Sequence, residues 1–195
     1  MLTDRECEAE KIAIENNIPL KRIIEPNIHA FCSKAKEYFD SIGGVTCIIT
    51  FFHRLITNEL IDSYPCINIH PALLPSFKGI GAVKMAFDAD VRFIGGSLFM
   101  VDEEMDHGPI IAQICSPIPQ NVSLIQLRHL AFVQDVYLML LLVNYLELGI
   151  LEVGVKSYFN LHGILPKGRF CNPDMLSEEY KREVNILALE RNVEL

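Results

Sequence analysis

Residues 45–52 read VTCIITFF, eight positions of apolar and β-branched side chains with no charge among them. Successive residues of a strand point to opposite faces, so this run is apolar on both sides. A strand apolar on both faces belongs inside a parallel sheet covered by helices above and below. The run therefore argues for an α/β fold.

The flanking patterns agree. Residues 7–17 (CEAEKIAIENN) and 27–41 (NIHAFCSKAKEYFDS) repeat apolar positions at helical spacing. Asn27 is placed to cap the second helix, and Gly43-Gly44 to close it. A short strand is expected at 18–24, a short helix at 57–63, and a strand at 66–70 (CINIH) that Pro71 terminates. A helix follows at 80–89. Strands at 93–101 and 110–118 are expected as antiparallel neighbours around a DEEMDHG turn, and 123–148 reads as one long helix. The alternation gives an α/β fold with a mostly parallel sheet flanked by helices. Residues 2–4 look like the end of a strand too short to form. Residues 1–151 make the catalytic-type domain. Residues 152–195 form a tail, with a loop or hairpin at 155–170 and a surface helix at 175–191, and no second domain.

Of the 195 residues, half are apolar and 22% are charged, as in a folded soluble chain. Lys+Arg is 17 and Asp+Glu is 25, so the net charge is −8. That balance disfavours nucleic acid and acidic membranes as partners, since both want clustered cations. The charged start (MLTDRECEAEK) argues against a signal peptide. The most apolar stretch, 136–145, has ten residues where a membrane helix needs roughly 20. The six cysteines, Cys7, Cys32, Cys47, Cys66, Cys115 and Cys171, include no C-x-x-C pair. Neither a disulfide framework nor a metal site is expected, and a reducing cytoplasm fits.

Asn68 and His70 lie two apart on one strand, so both side chains leave the same face. They sit at its carboxyl end, where open α/β sheets place ligands. An amide and an imidazole together supply a hydrogen-bond donor and a proton acceptor to one reacting centre. By spacing alone, a polar strand end that satisfies nearby backbone is the commoner arrangement. The turn at 101–109 (VDEEMDHGP) offers four carboxylates, Asp102, Glu103, Glu104 and Asp106, to orient a histidine, and local chemistry does not choose among them. Gly108 is expected to take the unusual turn dihedral. His107 has no further ligands at metal spacing. His29, His53, His129 and His162 read as structural or solvated. Ser76 and Ser97 lack the glycine-flanked elbow of a nucleophile. No dinucleotide or phosphate-loop motif is present.

INIHPALLPSFKG at 67–79, followed by VDEEMDHGPIIAQ at 101–113, resembles the folate-dependent formyltransferases. The resemblance extends over roughly residues 3–151. It implies a formyltransferase-like fold and transfer of a formyl group from 10-formyltetrahydrofolate, as co-substrate, to a primary amine. Glycinamide ribonucleotide of purine biosynthesis is the default acceptor. Asn68, His70 and Asp106 then resemble the catalytic set: Asn68 as donor to the oxyanion, Asp106 as the charge partner of His70 and a proton shuttle. His53, Arg54, Leu55 and Ile56 resemble the stretch that lines the folate pocket, largely through backbone and apolar contacts. Val101, Glu104 and Met105 resemble the loop that wraps the pterin. Pro71 and Asp135 fall where the amine substrate is held, with Glu usual at the second place. No metal and no covalent intermediate are implied. A homo-oligomer is compatible.

The chain also departs from that pattern. It is expected to lack a first strand–loop–helix unit, of Gly-Ser-Asn type, that cradles a substrate phosphate, and so to be one strand short. Phe51 stands in place of a small glycine. Val83 and Phe99 stand where histidines are expected. A basic folate contact falls to Lys34 or Lys36. The alternatives are another acceptor, such as a sugar amine or methionyl-tRNA, or a non-catalytic folate-binding remnant.

Overall fold

A computed structural model gives the fold and describes residues 1–163, 171–191 and 193. Helix boundaries follow local chemistry. The Asn27 carboxamide oxygen accepts from the Ala30 N–H at 3.0 Å and starts α2 (Ile28–Ile42). Gly43, at φ 64°, ends it in a region that glycine enters freely. Ser123 and Gln126 exchange hydrogen bonds in a capping box at the start of α5 (Leu124–Glu147).

Five strands form the main sheet, in the order β3 (Ile48–Thr50), β4 (Cys66–His70), β5 (Phe93–Met100), β6 (Ile110–Pro117) and β9 (Cys171–Asn172). The β3–β4 pair is parallel, with Thr50 beside Asn68. The pairs from β4 to β9 are antiparallel, so the sheet is mixed and its parallel part holds the candidate site. Apart from it lie a parallel pair, β1 (Leu2–Thr3) with β2 (Lys21–Arg22), and a hairpin, β7 (Leu151–Val153) with β8 (Phe159–Leu161). Helices α1 (Glu8–Glu15), α3 (Asn58–Ile61), α4 (Ala82–Asp88) and α6 (Glu178–Leu189) complete the fold.

Both faces of the parallel pair are covered. Ile67 and Ile69 pack into one cluster with Leu127, Leu130 and Leu138 of α5. Cys66 and Ile48 turn to the other face, against Phe31, Cys32 and Ala35 of α2. By length and apolar content α5 would reach across a bilayer, but ten of its residues are buried, and it is the core helix of this fold. Glu10 is buried on α1 and pairs with Arg22 of β2, which fastens the helix to the β1–β2 pair. Those two hydrogen-bond partners, Arg22 first and then Thr3, hold the Glu10 carboxyl down at about 2.

Two expectations need correction, and in two further segments the structure adds contacts to what was expected. The strand at 2–4 does form, because β2 supplies a parallel partner. The run at 45–52 yields only three paired residues, all half-buried, because among the described residues β3 has a neighbour on one side only. The helix expected at 175–191 lies on the surface but buries Val184 and Ala188 in the core shared with α5. In the 152–195 segment, expected as a tail with a loop and a surface helix, β9 adds a strand to the main sheet. Within the loop or hairpin expected at 155–170, β8 is seen, and 164–170 lies outside the described residues.

Candidate active site

β4 delivers Asn68 and His70 to one rim of the sheet, at its carboxyl end. The Ile69 N–H donates to the Asn68 carboxamide oxygen at 2.9 Å, which leaves the amide hydrogens for the cleft. Phe99 of β5 lies directly across from Asn68 and is fully buried, an apolar wall beside a polar donor. His70 is 6% exposed. Its Nε2 lies 2.8 Å from the Phe77 carbonyl oxygen and its Nδ1 3.3 Å from the Asp106 carboxylate. Both partners are acceptors, so a singly protonated ring serves one of them and an imidazolium serves both.

The loop after β4 is pinned from beneath. The buried Ser97 hydroxyl donates to the Ala72 carbonyl at 2.8 Å and accepts from the Leu74 N–H at 3.0 Å and the Gln113 amide at 2.8 Å. Gln113 also donates to the Leu74 carbonyl. At its far end the Gly79 N–H donates to Asp106 at 2.8 Å. The loop and the acidic turn are thereby joined around His70.

The turn closes with the Met100 N–H on the Pro109 carbonyl. A Cβ at Gly108 would stand 1.8 Å from the Met100 carbonyl oxygen, so only glycine fits. The left-handed dihedral expected there falls instead on Asp106, at φ 51°. This backbone twist, beside a register shift at Leu98/Phe99, turns Asp106 toward His70. The other acids are engaged elsewhere. Asp102 and Glu104 face His107 at 3.0 and 3.3 Å, and Glu103 accepts from Asn58.

All twelve residues named from the sequence line one cleft of about 390 Å³: Asn68, His70 and Asp106; His53, Arg54, Leu55 and Ile56; Val101, Glu104 and Met105; Pro71 and Asp135. Arg54 serves the wall more than the interior. Its guanidinium donates to the Glu25 and Pro26 carbonyls and stacks over Phe31 and Phe52. Phe99 and Phe51 also line the cleft, whereas Val83 packs on the main core. Lys34 and Lys36 do not reach it: each pairs on the α2 surface, with Glu25 and Asp40 at 2.6 Å. The basic group that sequence reasoning missed is Arg5, 3.1 Å from the His53 ring nitrogen. Nothing in its local sequence marks it, because the connection after β1 alone brings it there. Thr50 and Ile80 were missed as well. Gly79, the end of the INIHPALLPSFKG string, was the one whose signal was in view.

Asp135 enters from α5. Its Oδ1 is buried with no hydrogen-bond partner, and burial pushes the carboxyl up to about 7. The close glycine backbone of β5 makes room for it: a Cβ at Gly96 would lie 3.4 Å from that oxygen.

An amide, an imidazole and a carboxylate over one cleft, at the carboxyl end of a parallel strand, form the kind of ligand-binding rim that α/β sheets carry. Residues 3–135 match the model for formyl transferase, and the chain belongs to that family. It is 48% identical over 75 residues to phosphoribosylglycinamide formyltransferase of Bacillus subtilis (strain 168), covering 37% of this chain and 38% of that one. It is 35% identical over 136 residues to formyltetrahydrofolate deformylase 2, mitochondrial, of Arabidopsis thaliana, covering 68% and 38%. Among solved structures it resembles phosphoribosylglycinamide formyltransferase from Bacillus halodurans, with a TM-score of 0.65 at 27% identity over 69% of this chain and 72% of that one. The chain spans less than two fifths of the length of these two curated relatives.

Proposed function

We propose that the cleft transfers a formyl group from 10-formyltetrahydrofolate to a primary amine, with glycinamide ribonucleotide as the acceptor. The observation that carries this reading is the His70–Asp106 pair at 3.3 Å beside the Asn68 amide. Family membership and the 48% identical stretch support it.

In this reading the amine nitrogen attacks the formyl carbon and charge builds on the formyl oxygen. Asn68 donates to that oxygen, and so does His70 once its Nε2–H leaves the Phe77 carbonyl. The new carbon–nitrogen bond forms, the bond to N10 of the folate breaks, and the amine proton passes to N10 with Asp106 as relay. Each oxyanion donor contributes about 10²–10³ in rate. Pro71 and Asp135 hold the amine. Residues 53–56, with Val101, Glu104 and Met105, hold the folate. Fixing both substrates in line supplies much of the remainder.

A second reading has water as acceptor, with formate released. Two observations favour it: the longer match is to a deformylase, and both cations lining the cleft are already paired, Arg5 with Asp4 and Arg54 with carbonyls. Incubation with 10-formyltetrahydrofolate, with and without glycinamide ribonucleotide, separates the two. Formylated amine appearing only with the acceptor supports the first reading, and formate without it supports the second. A protein that neither binds nor consumes the folate, indistinguishable from its His70→Ala variant, sinks both.

A further inference from the structure

The loop after β4 takes left-handed backbone at residues 77, 79 and 81, with φ 51°, 85° and 88°. Two of the three are glycines, which enter that region freely, and the third is Phe77. A phenylalanine there is held against its own preference, and strain of this kind collects where a site uses it. The ring supplies no reason for it, since it joins neither apolar core and does not line the cleft. The carbonyl does supply one: its oxygen lies 2.8 Å from His70 Nε2. The segment is fixed on both sides. Before it, the Ser76 N–H donates to the Leu73 carbonyl at 2.9 Å, and Ser97 pins Ala72 and Leu74. After it, the Gly79 N–H holds Asp106. Between those anchors, the left-handed step at Phe77 aims the carbonyl at the ring.

The two partners of His70 compete for a ring proton. Asp106, 3.3 Å from Nδ1, favours a proton on that nitrogen. Acting alone on a neutral ring it would leave Nε2 bare, able to accept a hydrogen bond and unable to donate one. The Phe77 carbonyl is nearer to its own nitrogen and calls for a proton on Nε2. We propose that Phe77 is a positioning residue: its left-handed backbone, and not its ring, holds a carbonyl against His70 and keeps a proton on Nε2 until the formyl oxygen takes that donor over. The inference rests on the formyl-transfer reading, which gives Nε2–H its task, and it applies whether an amine or water is the acceptor.

The test ranks substitutions by backbone tolerance and not by size. Phe77→Gly and Phe77→Asn enter the left-handed region readily, whereas Phe77→Val and Phe77→Ile resist it. Two readouts are taken on the full chain: the His70 ring nitrogens by long-range ¹H–¹⁵N NMR without substrate, and kcat and KM with 10-formyltetrahydrofolate, with and without glycinamide ribonucleotide. Phe77→Gly and Phe77→Asn should keep the Nε2 proton and hold kcat within about twofold, although the ring is gone. Phe77→Val and Phe77→Ile should move the proton toward Nδ1 and lower kcat about tenfold or more with KM little changed, because a donor to developing charge is lost. Equal activity in all four variants overturns the inference, and so does an equal loss in all four, which would make the ring the part that matters. An unchanged Nε2 proton in Phe77→Val overturns it as well. If Phe77→Val and Phe77→Ile do not fold, Phe77→Gly and Phe77→Asn still decide, since a loss in both as large as that of His70→Ala would sink it. Turnover that His70→Ala leaves intact would instead remove the formyl-transfer reading, and the NMR signature would then report on the ring proton by itself.

Discussion

Asp135 is the residue whose ionisation the fold opposes. Its carboxyl titrates near 7 in the folded chain, above the ordinary 3.8, so the folded state holds a proton there that the unfolded state has lost. Stability contributed at this position therefore falls as pH rises from about 4 to about 7, at up to about 1.4 kcal/mol per pH unit. Asp135→Asn should flatten that part of the profile in thermal melts at stepped pH; an unchanged slope would mean the decline has another source. Asn68 is expected to act differently. Asn68→Ala should lower kcat by about 10²–10³ with little change in KM, because a donor to developing charge matters mainly in the transition state.

Single residues were unevenly legible. Asn68 and His70 stood out because period-two spacing and Pro71 fix their face and their end of the strand. Asp106 could be told from Asp102, Glu103 and Glu104 only by resemblance, since what separates them is a backbone dihedral and not a side-chain type. Ser97 looked like an isolated serine, and its role in pinning the loop exists only once β5 lies under that loop.

Among elements, the loop between β4 and α4 is the most dependent on one buried hydroxyl. Ser97→Ala would leave the Leu74 N–H without its acceptor and remove one partner of Gln113, costing about 1–3 kcal/mol in denaturant unfolding. Activity should fall further than stability, because the loop carries the Phe77 and Gly79 contacts around His70 and Asp106. Near the chain start Glu10 fastens α1 to the β1–β2 pair. Its stabilisation is present above its ordinary pKa of 4.5 and is lost as pH falls toward 2. Glu10→Gln should remove that acid transition, seen as faster amide exchange confined to β1 and β2. The strand at 45–52 shows why element length was harder to read than element type. Composition marks a strand, but the number of residues that pair depends on neighbours that sequence spacing does not reveal.

At the scale of the whole molecule, the fold class was readable because helical and strand periods alternate, and the long helix because its apolar content exceeds any surface role. The mixed character of the sheet was foreseen only at β5 and β6. A net charge of −8, with both cleft cations paired, sets a further expectation: no mobility shift with tRNA at modest salt, and a clear shift would revive methionyl-tRNA as acceptor. The histidine at the centre of the cleft has a chemical consequence of its own. Its ring is capped at both nitrogens and its side chain is 8% exposed, while those of His29 and His107 are 67% and 55% exposed. An imidazole-acylating reagent such as diethylpyrocarbonate would mark those two first and reach His70 last, so the order of labelling reports whether the Phe77 carbonyl is still on guard.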